Sequence, residues 1–328
     1  MTEKSGIDRR QLLAGAAAVG AAASIGTAAC AKADAGSLAG KSILITGCSS
    51  GFGYLGALHY AKLGAKVIAS MRKLPRDAAT RLAEAGKGLD LHIVEIDVLD
   101  DEQVAEGVGR AEEIAGGGLD VLVNNAGIGT GLPVELQDME ATRLIFDTNV
   151  FGYQRMARAV LPGMRKRKGG QIFAVSSQLG RVIAPGYGLY SATKFAVEAQ
   201  AEQMAYELAP HGIEVTIIQP GGYPTDIWRN SNDNTKALLA RLDDEQKAAY
   251  PAFVAQAMQT GGGRGTDPMD IPRAIADIVA MPAGTRPLRR PVHPRNIPQT
   301  EINRVSAEAQ LALFAGSPFE PIARAVLD

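Results

Sequence analysis

The sequence predicts an α/β fold wound on both faces of a parallel sheet, and three observations lead there. Short apolar, β-branched runs alternate with helical stretches from Lys41 onward. The first run ends in a glycine-rich turn that opens a helix. Residues able to do chemistry fall just after the runs rather than inside them. Strands buried on both faces read as continuous apolar runs, and parallel strands need helical crossovers. In order, the β-rich runs span residues 42–46, 66–70, 92–96, 121–123, 171–175 and 214–218. A helix is expected over 54–63, with Gly64 in the left-handed position just past its end. Ligands of such sheets bind at the carboxyl ends of the strands, so the functional residues are expected there.

Composition narrows the rest. The 328 residues are 46% apolar, which fits a packed chain and excludes wholesale disorder. Lys plus Arg is 34 against 35 Asp plus Glu, so nothing marks a general electrostatic nucleic-acid binder. Two cysteines, Cys30 and Cys48, cannot make a disulfide framework, and His59, His92, His211 and His293 show no metal-ligand spacing. The basic run at 165–168 closes a helical stretch before Gly169-Gly170, where cations suit the helix dipole and glycine suits the cap. Residues 230–263, after the sixth run, are less regular and read either as a substrate lid or as a surface excursion.

The N-terminus reads as an address. Arg9-Arg10 precede a mildly apolar, Ala- and Gly-rich stretch from Leu12 to Ala29, which resembles a twin-arginine export signal. Ala31-Lys32-Ala33 offers a cleavage pattern, and Thr27-Ala28-Ala29-Cys30 a competing lipoprotein-like box. Residues 1–33 are therefore expected to direct export to the periplasm or cell envelope. Membrane attachment follows only if Cys30 is lipidated or the signal stays uncleaved. The alternative is an Ala-rich tail on a cytoplasmic protein. One domain is expected over 41–295, with a C-terminal extension at 296–328 that receives no role.

The turn Thr46-Gly47-Cys48-Ser49-Ser50-Gly51-Phe52-Gly53 has two readings. Glycines after a strand and before a helix let a pyrophosphate approach free N–H groups. The same residues also spell G-x-S-x-G, the nucleophile elbow, with Ser49 as nucleophile and His293 or His211 as base. The second reading leaves Asn124-Asn125-Ala126-Gly127, Tyr190 and Lys194 without a purpose.

Tyr190 and Lys194 lie four apart on an expected helix and so share a face. Reducing a carbonyl requires a proton for its oxygen, and a phenol with a pKa of ~10 is a suitable donor. Lowering that pKa by ~3 units needs about 4 kcal/mol in favour of phenolate. An ammonium ~4 Å away at an effective dielectric of ~20 supplies about that much. Ser177, just after the fifth run, is placed to hydrogen-bond the substrate oxygen.

Together these features resemble the short-chain dehydrogenase/reductase family. They are T-G-x-x-x-G-x-G at 46–53, Asp97, N-N-A-G at 124–127, Asn149, Ser177, Y-x-x-x-K at Tyr190 and Lys194, and P-G-x-x-x-T at 220–225. The resemblance implies a Rossmann-like single domain that oxidises or reduces a secondary alcohol or its carbonyl counterpart, with a nicotinamide cofactor. It makes Ser177, Tyr190, Lys194 and Asn149 the catalytic set, with Asn149 supporting a water relay to Lys194. It places the cofactor on Gly47, Ser49, Ser50, Gly51, Phe52 and Gly53, with Asp97 and Val98 near the adenine. Asn124, Ala126 and Gly127 form the floor, Tyr190 and Lys194 hold the ribose, and Pro220, Gly221 and Thr225 meet the nicotinamide end. Met71 stands where NAD-dependent relatives carry an acid, and Arg72 follows, which looks like the NADP-preferring arrangement, with NAD less favoured.

The turn together with Met71-Arg72 is similar to the subgroup acting on hydroxysteroids and retinoids. Leu179, Val182, Ile183, Pro185, Tyr187, Tyr223 and Trp228 are the expected apolar pocket. Family members commonly pair through the helices carrying Asn149 and Tyr190, which implies a homodimer or homotetramer. A silent nucleotide-binding protein is the remaining alternative, and the intact Ser177, Tyr190 and Lys194 argue against it.

Overall fold

The computed structural model describes residues 37–257, 262 and 265–327, so the export signal and Cys30 lie outside the described residues. Seven parallel strands form one sheet in the order β3-β2-β1-β4-β5-β6-β7. They are β1 (Ser42–Ile45), β2 (Lys66–Met71), β3 (Leu91–Glu95), β4 (Val121–Asn124), β5 (Gly170–Val175), β6 (Ile213–Pro220) and β7 (Arg289–Val292). The order reverses between β1 and β4, and the loops that leave these strands diverge there to open a crevice. All six expected strands form. The seventh was not legible, because Arg289-Arg290-Pro291-Val292 has little β character. Pro291 is tolerated because β7 is an edge strand, paired on one side only with β6.

The pleat sends alternate residues to opposite faces, and each face has its own core. Leu44, Leu122 and Ile172 point to one cluster, which also holds buried residues of α3 (Asp101–Ala115), α5 (Gly152–Arg167) and α6 (Tyr190–Leu208). Ile43, Ile45, Val121, Val123 and Phe173 point to the other, against α1 (Gly51–Lys62), α2 (Asp77–Ala85) and α10 (Asp270–Ala280). Gly64 takes the expected left-handed position after α1, at φ 91°. The end of α5 differs from expectation. Lys168 itself takes the left-handed cap at φ 55°, and Gly170 already begins β5. The neighbouring Arg167 donates to the carbonyls of Gly117 and Leu119, anchoring the turn into β4.

Residues after β6 form α7 (Ile227–Leu239), α8 (Asp244–Ala249) and α9 (Pro251–Ala257). With α4 (Met139–Phe146) and the loop before it they enclose a third, small apolar cluster of Leu132, Leu136, Ala141, Leu238, Leu242 and Ala257. The C-terminal extension folds as α11 (Gln299–Phe314) and α12 (Glu320–Leu327) beside β7 and α6. Its polar side chains reach inward: Gln299 Nε2 donates to Gln219 O (3.2 Å) and Asn303 Nδ2 to Gln219 Oε1 (2.8 Å). No helix among the described residues is long and apolar enough to cross a membrane.

Candidate active site

The ends of β1 and β4 are tied together first. Thr46 Oγ1 accepts the N–H groups of Asn125 and Ala126, both at 2.9 Å, and Asn125 Nδ2 donates to Thr46 O at 2.8 Å. Within this clamp the glycine turn is sterically required. Gly47 sits at φ +74°, and a Cβ there would lie 2.9 Å from Ala126 Cα. A Cβ on Gly53 would come within 2.6 Å of Gly47 O. Asp100 and Asp138 cap α3 and α4 with side-chain bonds to backbone N–H groups, whereas Ser50 makes no such bond at α1. The first turn of α1 therefore keeps N–H groups open, with no acidic residue beside them, which suits a diphosphate. Cys48, beside it, is buried, and burial pushes its thiol up to about 12, so it is packing rather than a nucleophile.

One cavity of about 570 Å³ runs along the crevice. At one end it is lined by Met71, Arg72, Arg76, Asp97 and Val98. Arg76 was not singled out from the sequence, although it stands four residues beyond Arg72 and donates to Arg72 O at 3.2 Å. The middle is lined by Gly47, Ser49, Ser50, Gly51, Phe52, Ala126 and Gly127. At the other end are Ser177, Tyr190, Lys194, Pro220, Gly221 and Thr225. A guanidinium pair, an open helix N-terminus and a lysine in sequence along one crevice fit a dinucleotide.

Three expected residues sit behind the cavity wall instead of on it. Gly53 serves the close packing just described. Asn124 is buried, its Nδ2 donating to Tyr153 O at 3.4 Å, while its neighbour Asn125 lines the cavity. Asn149 lies in a π-helical turn (Asp147–Phe151) that precedes α5. Its Oδ1 accepts from Ile128 N (2.8 Å), and its Nδ2 donates to Ile128 O (2.9 Å) and Thr193 Oγ1 (3.0 Å). Those bonds occupy the side chain, which braces the loop after β4 against α6.

Ser177 and Tyr190 meet at the reacting end. Ser177 Oγ accepts from Leu179 N at 3.0 Å, which fixes the hydroxyl at the end of β5. Burial pushes the Tyr190 phenol up to about 12, opposed by a hydrogen bond from Ser177. Burial also brings Lys194 down to about 8, opposed by Glu198 one turn further along α6. The ammonium and the phenol ring lie side by side. Lys194 Nζ lies 5.7 Å from the Tyr190 ring centre and donates to Val175 O at 2.8 Å. The lysine is held by a strand-end carbonyl, and Tyr190 rests in its protonated form.

Of the expected apolar pocket, Leu179, Tyr187, Tyr223 and Trp228 line the cavity, joined by Ala184 and Ile227. Val182, Ile183 and Pro185 do not, and Ile183 is 76% exposed. Asn230, Ser231, Asp233 and Asn234 of α7 add a polar rim, from the start of the stretch at 230–263. Tyr223 packs edge-on against Phe52 and His293, and donates to Asp270 Oδ2 at 3.1 Å. Among the described residues no hydrogen bond joins Ser49 to a histidine. His293 Nδ1 instead accepts the N–H groups of Arg295 and Asn296.

Comparison with known proteins agrees with this geometry. The family model described as short chain dehydrogenase matches residues 41–236. The oxidoreductase YusZ of Bacillus subtilis is 35% identical over 73% of this chain and 83% of its own length. Human retinol dehydrogenase 8 is 33% identical over 83% of this chain and 87% of its own. A short chain dehydrogenase/reductase from Burkholderia phymatum, solved in complex with NAD, superposes with a TM-score of 0.68 at 25% identity, covering 83% of this chain and 95% of that one. The chain thus belongs to the short-chain dehydrogenase family and is an NAD(P)-dependent oxidoreductase acting on CH–OH groups.

Proposed function

We propose that the enzyme prefers NADP(H) and interconverts a largely hydrophobic secondary alcohol with its carbonyl compound, using Tyr190 as the general acid and base. The observation that carries this reading is the continuity of one cavity from Arg72 and Arg76 to Ser177, Tyr190 and Lys194. Two guanidiniums at the end of β2, with Met71 in place of an acid, favour a ribose phosphate over a free ribose hydroxyl. When bound, the nicotinamide supplies or accepts the hydride.

The protein's own residues handle the oxygen and its proton. Ser177 hydrogen-bonds the substrate oxygen and holds it beside Tyr190, whose high phenol pKa keeps a proton available for a carbonyl. Leu179, Ala184, Tyr187, Ile227 and Trp228 favour an apolar body, and the α7 rim a polar end. The likeness to retinol dehydrogenase 8 supports that substrate class. The insertion at 230–263 serves as the substrate lid, a reading supported by Asn230, Ser231, Asp233, Asn234 and Gly262 on the cavity lining.

A fluorescence titration with NADPH and NADH tests the cofactor preference. Arg72→Ala removes a charge-assisted phosphate contact of about 1.5–3 kcal/mol, which weakens NADPH binding by about 10–100-fold and leaves NADH unchanged. Tighter NADH binding by the unaltered protein overturns it.

Residues 1–33 support folded export by the twin-arginine route, with nucleotide already in place. Purifying the exported protein and finding neither bound nucleotide nor slow exchange argues against this. Leu144, Phe151 and Phe195, exposed on the segments around Asn149 and on α6, support pairing of two copies there. Light scattering that shows a monomer overturns that part.

A further inference from the structure

Lys194 has a neighbour that the set of Asn149, Ser177, Tyr190 and Lys194 leaves out. The amine is buried, and its hydrogen bond goes to Val175 O at 2.8 Å. The same carbonyl accepts the Tyr153 hydroxyl at 3.0 Å. The Tyr153 ring centre lies 5.5 Å from Lys194 Nζ, against 5.7 Å for the Tyr190 ring. The ammonium therefore lies between two aromatic rings and under one carbonyl oxygen.

The charged and titratable groups that face this amine are Tyr153 from α5 and Tyr190 and Glu198 from α6. Glu198 is already engaged elsewhere: Gln219 Nε2 donates to its Oε1 (2.9 Å) and Arg289 Nε to its Oε2 (2.8 Å). Glu198 still favours the charged amine, and nearest to it stand the two ring faces and the Val175 carbonyl. Tyr153 is itself 2% exposed, just beyond the π turn that carries Asn149, so its ring has no room to leave.

We propose that Tyr153 is a positioning residue for the Tyr190–Lys194 pair, its hydroxyl sharing the Val175 carbonyl with Lys194 and its ring holding the ammonium beside Tyr190. The inference rests on the reading of Tyr190 as acid and base. A ring face over a desolvated ammonium favours the charged form. Without that ring Lys194 loses its proton more readily, and a neutral lysine does nothing for phenolate. The effect of Tyr153 on the chemistry therefore passes through the charge that Lys194 keeps beside Tyr190.

The charge on Lys194 is read directly. Its ε-methylene ¹³C signal is followed with pH by NMR on the full, lysine-labelled protein saturated with NADP⁺. The signal is assigned by its loss in Lys194→Met. Tyr153→Leu lowers the pH at which Lys194 loses its proton by about one unit, a tenfold change in its equilibrium. Tyr153→Phe keeps the ring and restores most of that shift. Tyr153→Met, which keeps bulk without a ring, replaces the leucine variant if that one does not fold. A ringless variant that folds, binds NADP⁺ and has Lys194 ionise at the same pH as in the unaltered protein overturns the proposal. A Tyr190→Phe chain that still turns over an alcohol overturns instead the reading on which it rests, and the titration distinguishes the two failures.

Discussion

Replacing Arg289 with leucine is the most informative perturbation of stability this structure offers. Arg289 joins Glu198 and Glu202 on α6, and all three side chains are nearly enclosed, at 8%, 3% and 12% exposure. Removing the guanidinium leaves two carboxylates buried beside each other. Breaking a buried ion pair by deleting one partner costs about 3–5 kcal/mol, chiefly because the other charge is stranded. With each kcal/mol worth roughly 2–4 °C in a domain of about this size, Arg289→Leu should melt about 10 °C lower. Scanning calorimetry on the full chain reads this directly. Adding Glu198→Gln and Glu202→Gln to the variant should recover at least half of the loss, since neutral amides tolerate the site better.

The pH dependence follows from Glu202. Burial alone raises its carboxyl, but Arg289, Tyr206 and Gln310 hold it below the ordinary carboxylate value. A depressed carboxyl contributes stability above its unfolded pKa and loses it as pH falls through the folded one. The gap between the unaltered protein and Arg289→Leu should therefore narrow in acid. A variant that melts within about 2 °C of its parent at neutral pH would refute the argument that the network is desolvated.

Two further outcomes test the site. Tyr190→Phe should lower turnover of any alcohol substrate by about 10²–10⁴-fold while NADPH binding persists, as stopped-flow and fluorescence titration would show. Unchanged turnover would exclude the phenol as acid and base. Thr46→Val strands the N–H groups of Asn125 and Ala126, and should destabilise the fold by about 1–3 kcal/mol in urea unfolding. No loss would mean that water satisfies those donors.

Much of the fold and of the cavity lining was legible because it depends on local pattern. Ser42 to Ile45 is a short continuous apolar run, and a glycine turn at a strand end has few other uses. What escaped notice depends on contacts between distant segments. β7 is held in place by β6, not by its own propensity. Tyr153 reads as one more apolar residue on an amphipathic helix until Val175 and Lys194 are brought to it. Glu198 and Glu202 look like solvated charges on α6, and only the fold sets Arg289 of β7 and the extension against them. Lys168 shows the converse, because glycines followed it and the backbone still turned at the lysine. Asn149 was singled out from its place in the pattern, and its side chain is occupied by the Ile128 backbone and Thr193.

The small apolar cluster under α7, α8 and α9 is separate from the two cores that flank the sheet. Two polar contacts also fasten α7 to the far wall of the crevice: Gly131 N donates to Thr235 Oγ1 at 2.8 Å and Asn234 Nδ2 to Gly129 O at 3.1 Å. A region with its own minor core opens for less free energy than the sheet it rests on. Amide exchange in α7 should therefore run ahead of exchange in β1, β4 and β5, with the seven strands intact throughout. Such a difference in exchange would make substrate traffic and cofactor retention separately tunable by mutation.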